Sequence, residues 1–269
     1  MKDRVTTTGL SELKRKGIKI AALTAYDCPT AALLEEAGAD VVLVGDSVGM
    51  VKLGHETTIP VTVEDILHHV KAVRRGLGRV PGRRRPLLVA DMPYLSYELD
   101  PKAAVVNAGR LIKEGGSEAV KLEGGLEVGA TVKELLRVHI PVMGHLGLTP
   151  QAVHRLGGYT VQGRRPEQAE KMVTDAKVLE AAGVFALVLE CVPPDLAALI
   201  TSKLSIPTIG IGAGPACDGQ ILVTDDMLGL TEGPVPSFVK RYADLRASAA
   251  RGVARYCREV REGVFPRRA

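Results

Sequence analysis

The chain has 269 residues, 46% of them apolar and 25% charged, and a net charge of +4: enough for one large core, with too little charge to imply a polyanionic partner. Trp is absent and aromatics make up only 3%, so the core must be aliphatic and a base-stacking surface for nucleic acid is disfavoured. The cysteines Cys28, Cys191, Cys217 and Cys257 form no CxxC pair and read as free thiols of a reducing cytoplasm; no apolar run can span a bilayer, and Met1-Lys2-Asp3-Arg4 lacks the apolar core of a signal peptide.

Residues 18–25 form the first β-type run, ending at Tyr26-Asp27. Pro29 suits the first turn of a helix through Leu33 to Ala37, closed by Gly38. Val41–Val44 is the second run and ends in Gly45-Asp46-Ser47. After a loop with His55, a helix starts near Thr62 and carries Ile66, His69, Val70 and Val73. Residues 87–90 run into Asp91, and Pro101 opens a helix through Val105 and Leu111 that Gly115-Gly116 stops. Ala119–Glu123 is the fourth run. A helix is expected over 127–137, and a fifth run over 141–144 ends at His145. Thr149-Pro150-Gln151 looks like an N-cap with Pro at the first helical position. Pro166–Ala182 is a longer helix, and residues 185–189 run into Glu190. Residues 195–203 read as helix, 207–211 as a run ending in Gly212-Ala213-Gly214, and 220–223 as the last run, near Asp225-Asp226. A final helical stretch over 237–260 carries Phe238, Tyr242, Leu245, Val253 and Tyr256, an apolar stripe larger than capping needs.

Eight short β-type runs alternating with helices predict one (β/α)₈ barrel over residues 1–269 with a long C-terminal helix. An open doubly wound sheet is the runner-up, but no GxGxxG opens a first βα turn. In such a barrel the C-terminal strand ends share one mouth, which here collects Asp46, Ser47, Asp91, Lys121, Glu123, His145 and Glu190. Lys121 and Glu123 lie two apart and leave the same face of a strand. Clustered acids repel unless a cation or protons neutralise them, and oxygen ligands suit a hard ion such as Mg²⁺. Lys121 beside them can neutralise a substrate carboxylate or a forming enolate. Glu190 ends an apolar run, whose burial would make it a stronger base.

The stretches Thr24-Ala25-Tyr26-Asp27, Val44-Gly45-Asp46-Ser47, Lys121-Leu122-Glu123-Gly124-Gly125, Gly144-His145-Leu146-Gly147-Leu148-Thr149-Pro150-Gln151 and Leu189-Glu190-Cys191-Val192-Pro193 resemble the ketopantoate hydroxymethyltransferase family. Gly157-Gly158-Tyr159, Val161-Gln162-Gly163, Ile209-Gly210-Ile211-Gly212-Ala213-Gly214 and Asp218-Gly219-Gln220 continue the likeness in the family's order. The resemblance implies a cytoplasmic enzyme with one Mg²⁺ per subunit that performs an aldol-type step of pantothenate and coenzyme A synthesis. It would move a one-carbon unit from 5,10-methylenetetrahydrofolate to 3-methyl-2-oxobutanoate, giving 2-dehydropantoate. By the same likeness Asp46, Asp91 and Glu123 serve the metal, Asp46, Ser47, Asp91 and Lys121 hold the keto acid, and Glu190 accepts the proton. His145 has a supporting role, and a homo-oligomer, a decamer of paired pentameric rings, is implied.

Two other readings compete. A Mg²⁺-dependent C–C lyase of the isocitrate-lyase-like group would be expected to carry a Lys-Lys-Cys-Gly-His stretch, and none is present. A non-catalytic anion or nucleic-acid binder would use the basic run at 74–85, with Arg83, Arg84 and Arg85. That reading gives no reason for acids at so many strand ends.

Overall fold

The parity of the apolar residues along each strand decides how this chain closes. Residues 4–266 are described by a computed structural model; Met1, Lys2 and Asp3 of the signal-peptide reading lie outside them. The chain divides into two compact units, Met1–Leu222 and Val223–Ala269.

In the first unit the strands are β1 (Ile20–Thr24), β2 (Val41–Val44), β3 (Leu87–Asp91), β4 (Ala119–Glu123), β5 (Val142–Gly147), β6 (Ala186–Glu190), β7 (Thr208–Ile211) and β8 (Gly219–Leu222). They form a closed barrel in sequence order, every neighbouring pair parallel, with β8 back beside β1. This is the (β/α)₈ barrel expected from the alternation. Ile20, Ala22, Val41, Leu43, Leu87, Val89, Ala119, Met143, Ala186, Val188 and Ile209 point inward and form one core. The alternate residues, such as Val42, Leu88, Val120, Leu122, Leu187 and Leu189, face the helices and form the other. Both faces are therefore buried, which is why the strands read as continuous apolar runs rather than alternating ones. Continuing the inward parity along the strands leads to Asp91, Lys121, Glu123, His145 and Glu190, so the pleat itself aims these five side chains into the lumen.

The outer helices are α2 (Cys28–Ala37), α4 (Val63–Gly76), α5 (Pro101–Lys113), α6 (Gly129–Arg137), α8 (Pro166–Ala182) and α9 (Pro194–Lys203), with the short α3 (Val48–Val51) and α7 (Val153–Leu156) in the loops above β2 and β5. Their starts follow local chemistry. Asp27 accepts from the Thr30 amide, Thr62 and Asp65 form a reciprocal capping box, and Asp100 accepts from Lys102 and Ala103. Tyr26 ends the first run as expected, whereas Asp27 is spent on this cap. Gly38 closes α2 at φ 87°.

Local structure departs from expectation in several places. The helix expected over 127–137 starts as a 3₁₀ turn at Leu126–Val128 before α6. Thr149 makes no side-chain cap, and Pro150–Ala152 is a single 3₁₀ turn. An unassigned helix, α1 (Thr7–Arg15), precedes the barrel and buries Leu10 among the inward residues at the strand starts. It plugs the end opposite the acids, and Lys14 secures it through Asp218, 2.9 Å away, and the Thr201 and Ile206 carbonyls. Two arginines of the basic run are likewise tied down, Arg84 2.7 Å from Asp40 and Arg85 2.8 Å from Glu118.

The second unit holds α10 (Thr224–Met227) and α11 (Leu245–Arg261). Asp225 and Asp226 lie inside α10. The long C-terminal helix is present but begins at Leu245, because Asp244 caps it and the amides of Tyr242, Leu245 and Arg246 bond to Met227, Leu228 and Gly229. Phe238 and Tyr242 thus lie outside the expected stripe. Among the described residues no helix is long and apolar enough to cross a membrane.

Candidate active site

Parallel register sets the first contacts. Asp91 on β3 is the cross-strand partner of Lys121, and Glu123 that of His145. The Lys121 Nζ lies 2.9 Å from Asp91 Oδ1, 4.0 Å from Glu123 Oε1 and 3.2 Å from His145 Nδ1. His145 then reaches across to β6, its Nε2 3.3 Å from Glu190 Oε2, while Nδ1 is 3.4 Å from Glu123 Oε1. Asp46 sits in the loop just past β2, where its backbone N–H donates to Asp91 Oδ2 at 2.9 Å. Gly45 makes that approach possible: a Cβ there would lie 3.3 Å from Asp91 Oδ2 and 2.9 Å from Ser47 Oγ. Ser47 shares a 2.8 Å hydrogen bond with the Tyr26 hydroxyl. All seven residues expected at the mouth are therefore drawn into one neighbourhood.

Two residues that motif reading did not single out join them. Gln151 donates from Nε2 to Asp46 Oδ2 at 2.9 Å and to the Met92 carbonyl at 3.0 Å, and its backbone N–H donates to Glu123 Oε2 at 3.1 Å. The Tyr97 hydroxyl donates to Gln151 Oε1 at 2.7 Å and accepts from the Glu123 N–H at 3.1 Å. Both sit in loops, where no periodicity marks an inward residue; only the position of Gln151 inside a quoted stretch hinted at it.

The electrostatics follow from burial. Asp46, Asp91, Lys121, Glu123 and His145 are all buried, while the Glu190 side chain keeps 16% exposure. Burial, then the Asp91 and Glu123 carboxylates, holds Asp46 well above the usual carboxylate range. Burial also lifts Asp91, against the pull of Lys121. For Lys121, burial disfavours the charge, but Asp91, Glu123 and Asp46 outweigh it and raise the ammonium above its ordinary value. Burial and Lys121 oppose charging of His145, yet Glu123 and Glu190 push it up to about 9.

This donor set fits a hard divalent cation. Three buried carboxylates face a single buried ammonium, which engages Asp91 Oδ1 at 2.9 Å and stays 4.0 Å from Glu123 Oε1, so the acids outnumber the cation that neutralises them. Among the described residues no three His, Cys, Asp or Glu side chains are grouped so that they could hold a metal ion by themselves. That suits Mg²⁺, which is commonly held by one or two carboxylates with substrate oxygens and water completing its shell.

A family model described as ketopantoate hydroxymethyltransferase matches residues 4–268. The chain is an enzyme of this family. Two relatives bear the name 3-methyl-2-oxobutanoate hydroxymethyltransferase. One, from Thermoanaerobacter sp. (strain X514), is 56% identical, covering 99% of this chain and 95% of the relative. The other, from Geotalea daltonii, is 53% identical over 99% and 97%. Among solved structures, a phosphonopyruvate hydrolase complex with oxalate and Mg²⁺ superposes with a TM-score of 0.60 at 14% identity, covering 96% of this chain and 88% of that one. A 2,3-dimethylmalate lyase of the PEP mutase/isocitrate lyase superfamily gives 0.59 at 15%, over 98% and 87%. At such identity these structures share the fold of the hydroxymethyltransferase family chain and nothing finer.

Proposed function

We propose that the chain transfers a hydroxymethyl unit from 5,10-methylenetetrahydrofolate to 3-methyl-2-oxobutanoate, in a Mg²⁺-dependent step of pantothenate and coenzyme A synthesis. The observation that carries this reading is the buried Asp46–Asp91–Lys121–Glu123 cluster joined through His145 to the half-buried Glu190, in a chain of this family.

Bound beside Asp46, Asp91 and Glu123, the cation would act as a Lewis acid that makes the C3 hydrogen of the keto acid more acidic. Lys121, held cationic by its acidic neighbours, faces the substrate carboxylate and the developing enolate oxygen, and Ser47 offers a further hydrogen bond. Glu190 takes the C3 proton. His145 Nε2, 3.3 Å away, steadies the Glu190 carboxylate before transfer and links it to the charges around Lys121. Water breaks both C–N bonds of the donor methylene, releasing tetrahydrofolate and formaldehyde; the C3 carbanion equivalent adds to the formaldehyde carbon, and its oxygen takes a proton to give 2-dehydropantoate.

The same reading takes residues 1–269 as one catalytic domain and places the enzyme in the cytoplasm, consistent with its four free thiols. It takes the working form as a homo-oligomer, a decamer; in support, α11 buries none of its residues and exposes Leu245, Val253, Tyr256 and Val260. The test is direct: protein, Mg²⁺, methylenetetrahydrofolate and 3-methyl-2-oxobutanoate should yield 2-dehydropantoate. No product with fully folded protein would overturn the assignment.

A further inference from the structure

Gln151 and Tyr97 have a role in this site that neither the sequence motifs nor the family likeness assigns. Gln151 touches the ends of three strands at once. Its side-chain amide spans Asp46, after β2, and the Met92 carbonyl, after β3, while its backbone N–H holds Glu123 on β4. Each acid is thereby held by one oxygen: Asp46 through Oδ2 and Glu123 through Oε2. Glu123 Oε1 is left buried and turned the other way, 4.0 Å from Lys121 Nζ and 3.4 Å from His145 Nδ1.

Tyr97 removes the remaining ambiguity. Its oxygen accepts the Glu123 N–H, and of the two acceptors within reach of its single proton, the Glu123 carbonyl at 3.1 Å and Gln151 Oε1 at 2.7 Å, the nearer is Gln151. That bond orients the amide, because a flipped amide would set an NH₂ against the Tyr97 proton and a carbonyl against Asp46 and Met92. The chain Glu123 N–H to Tyr97 O–H to Gln151 to Asp46 satisfies every donor along it, and both side chains are buried.

From this we infer that Gln151 and Tyr97 are positioning residues that act through Asp46 and Glu123, keeping one oxygen of each acid engaged so that the other is presented to the cation and keto acid. The inference rests on the function proposed above. Neither residue needs to touch substrate.

The experiment compares wild-type enzyme with Gln151→Leu, Tyr97→Phe and the double variant. Mg²⁺ alone is titrated by calorimetry, and kcat and the keto-acid KM are then measured separately. Gln151→Leu should weaken Mg²⁺ binding about 10–100-fold, the usual effect of removing a partner that orients a ligand, and raise KM by a similar factor. Tyr97→Phe should move both in the same direction by less, and the double variant should be no worse than Gln151→Leu, since the two act in one chain. A merely structural role would lower the melting temperature and leave Mg²⁺ affinity and KM alone; that result, or full additivity in the double variant, overturns the inference. If Gln151→Leu fails to fold, Tyr97→Phe decides by itself, and wild-type Mg²⁺ affinity in that variant is the refuting outcome. A wild-type enzyme that binds no Mg²⁺ would instead refute the metal-dependent function on which the inference stands.

Discussion

Glu190→Gln separates proton transfer from binding. The substitution keeps the side chain's shape and its place 3.3 Å from His145 Nε2 but removes the charge and the base. Glu190 is partly exposed, at 16%, and the other acids are buried with Lys121, so its loss leaves the cation and keto-acid contacts intact. Removing a general base costs about 10²–10⁴-fold in rate, which is roughly 3–5 kcal/mol of barrier. The assay is exchange of the C3 hydrogen of 3-methyl-2-oxobutanoate with deuterated water, followed by proton NMR without the folate donor. Exchange should fall by that factor while keto-acid and Mg²⁺ affinities stay near wild type. Lys121→Ala should behave differently. It strips the buried ammonium from beside Asp91, 2.9 Å away, and removing one partner of such a pair costs about 3–5 kcal/mol. Binding, turnover and stability should then fall together. Glu190→Gln protein that exchanges deuterium at the wild-type rate would refute the assignment and turn attention to His145.

Chelation should stop turnover and added Mg²⁺ should restore it, because the buried carboxylates of Asp46, Asp91 and Glu123 outnumber the Lys121 ammonium beside them; full activity in thoroughly metal-stripped protein argues against the cation. Gly147→Ala should cost about 1–3 kcal/mol in chemical denaturation and most of the activity, since Gly147 has φ 99° and a Cβ there would collide with the Glu190 carbonyl. A folded, active Gly147→Ala enzyme would show that the Glu190 backbone is not held this way. Light scattering at micromolar concentration should report an oligomer, and Tyr256→Glu on the exposed face of α11 should shift it towards smaller species; a single-chain mass for the wild type contradicts the assembly.

Much of this architecture is legible in the sequence because strands buried on both faces leave apolar runs, and the first polar residue after each run marks the mouth. Asp91, Lys121, Glu123, His145 and Glu190 were visible for that reason, and the pleat explains why they share one lumen. Tyr97 and Gln151 were not, because a loop has no period from which to read direction, and their function lies in hydrogen bonds between residues up to 105 positions apart. The N-terminal helix α1 escaped notice because only Leu10 of its residues is buried, too little for an apolar stripe. At the other end, Phe238 and Tyr242 extended an apparent stripe that the Asp244 cap and the backbone bonds to Met227, Leu228 and Gly229 interrupt.

The pairing of β1 with β8 brings Ile20 beside Gly219. On a ribosome adding about 5–20 residues per second, the first strand waits on the order of ten seconds or more for its last neighbour, with one edge unpaired throughout. Parallel closure over so great a sequence separation is also slow in itself. The mouth acids come from β2 to β6, away from that seam, and meet through contacts between neighbouring strands. During that wait the β1 edge, Ile20-Ala21-Ala22-Leu23-Thr24, is the segment most in need of a chaperone.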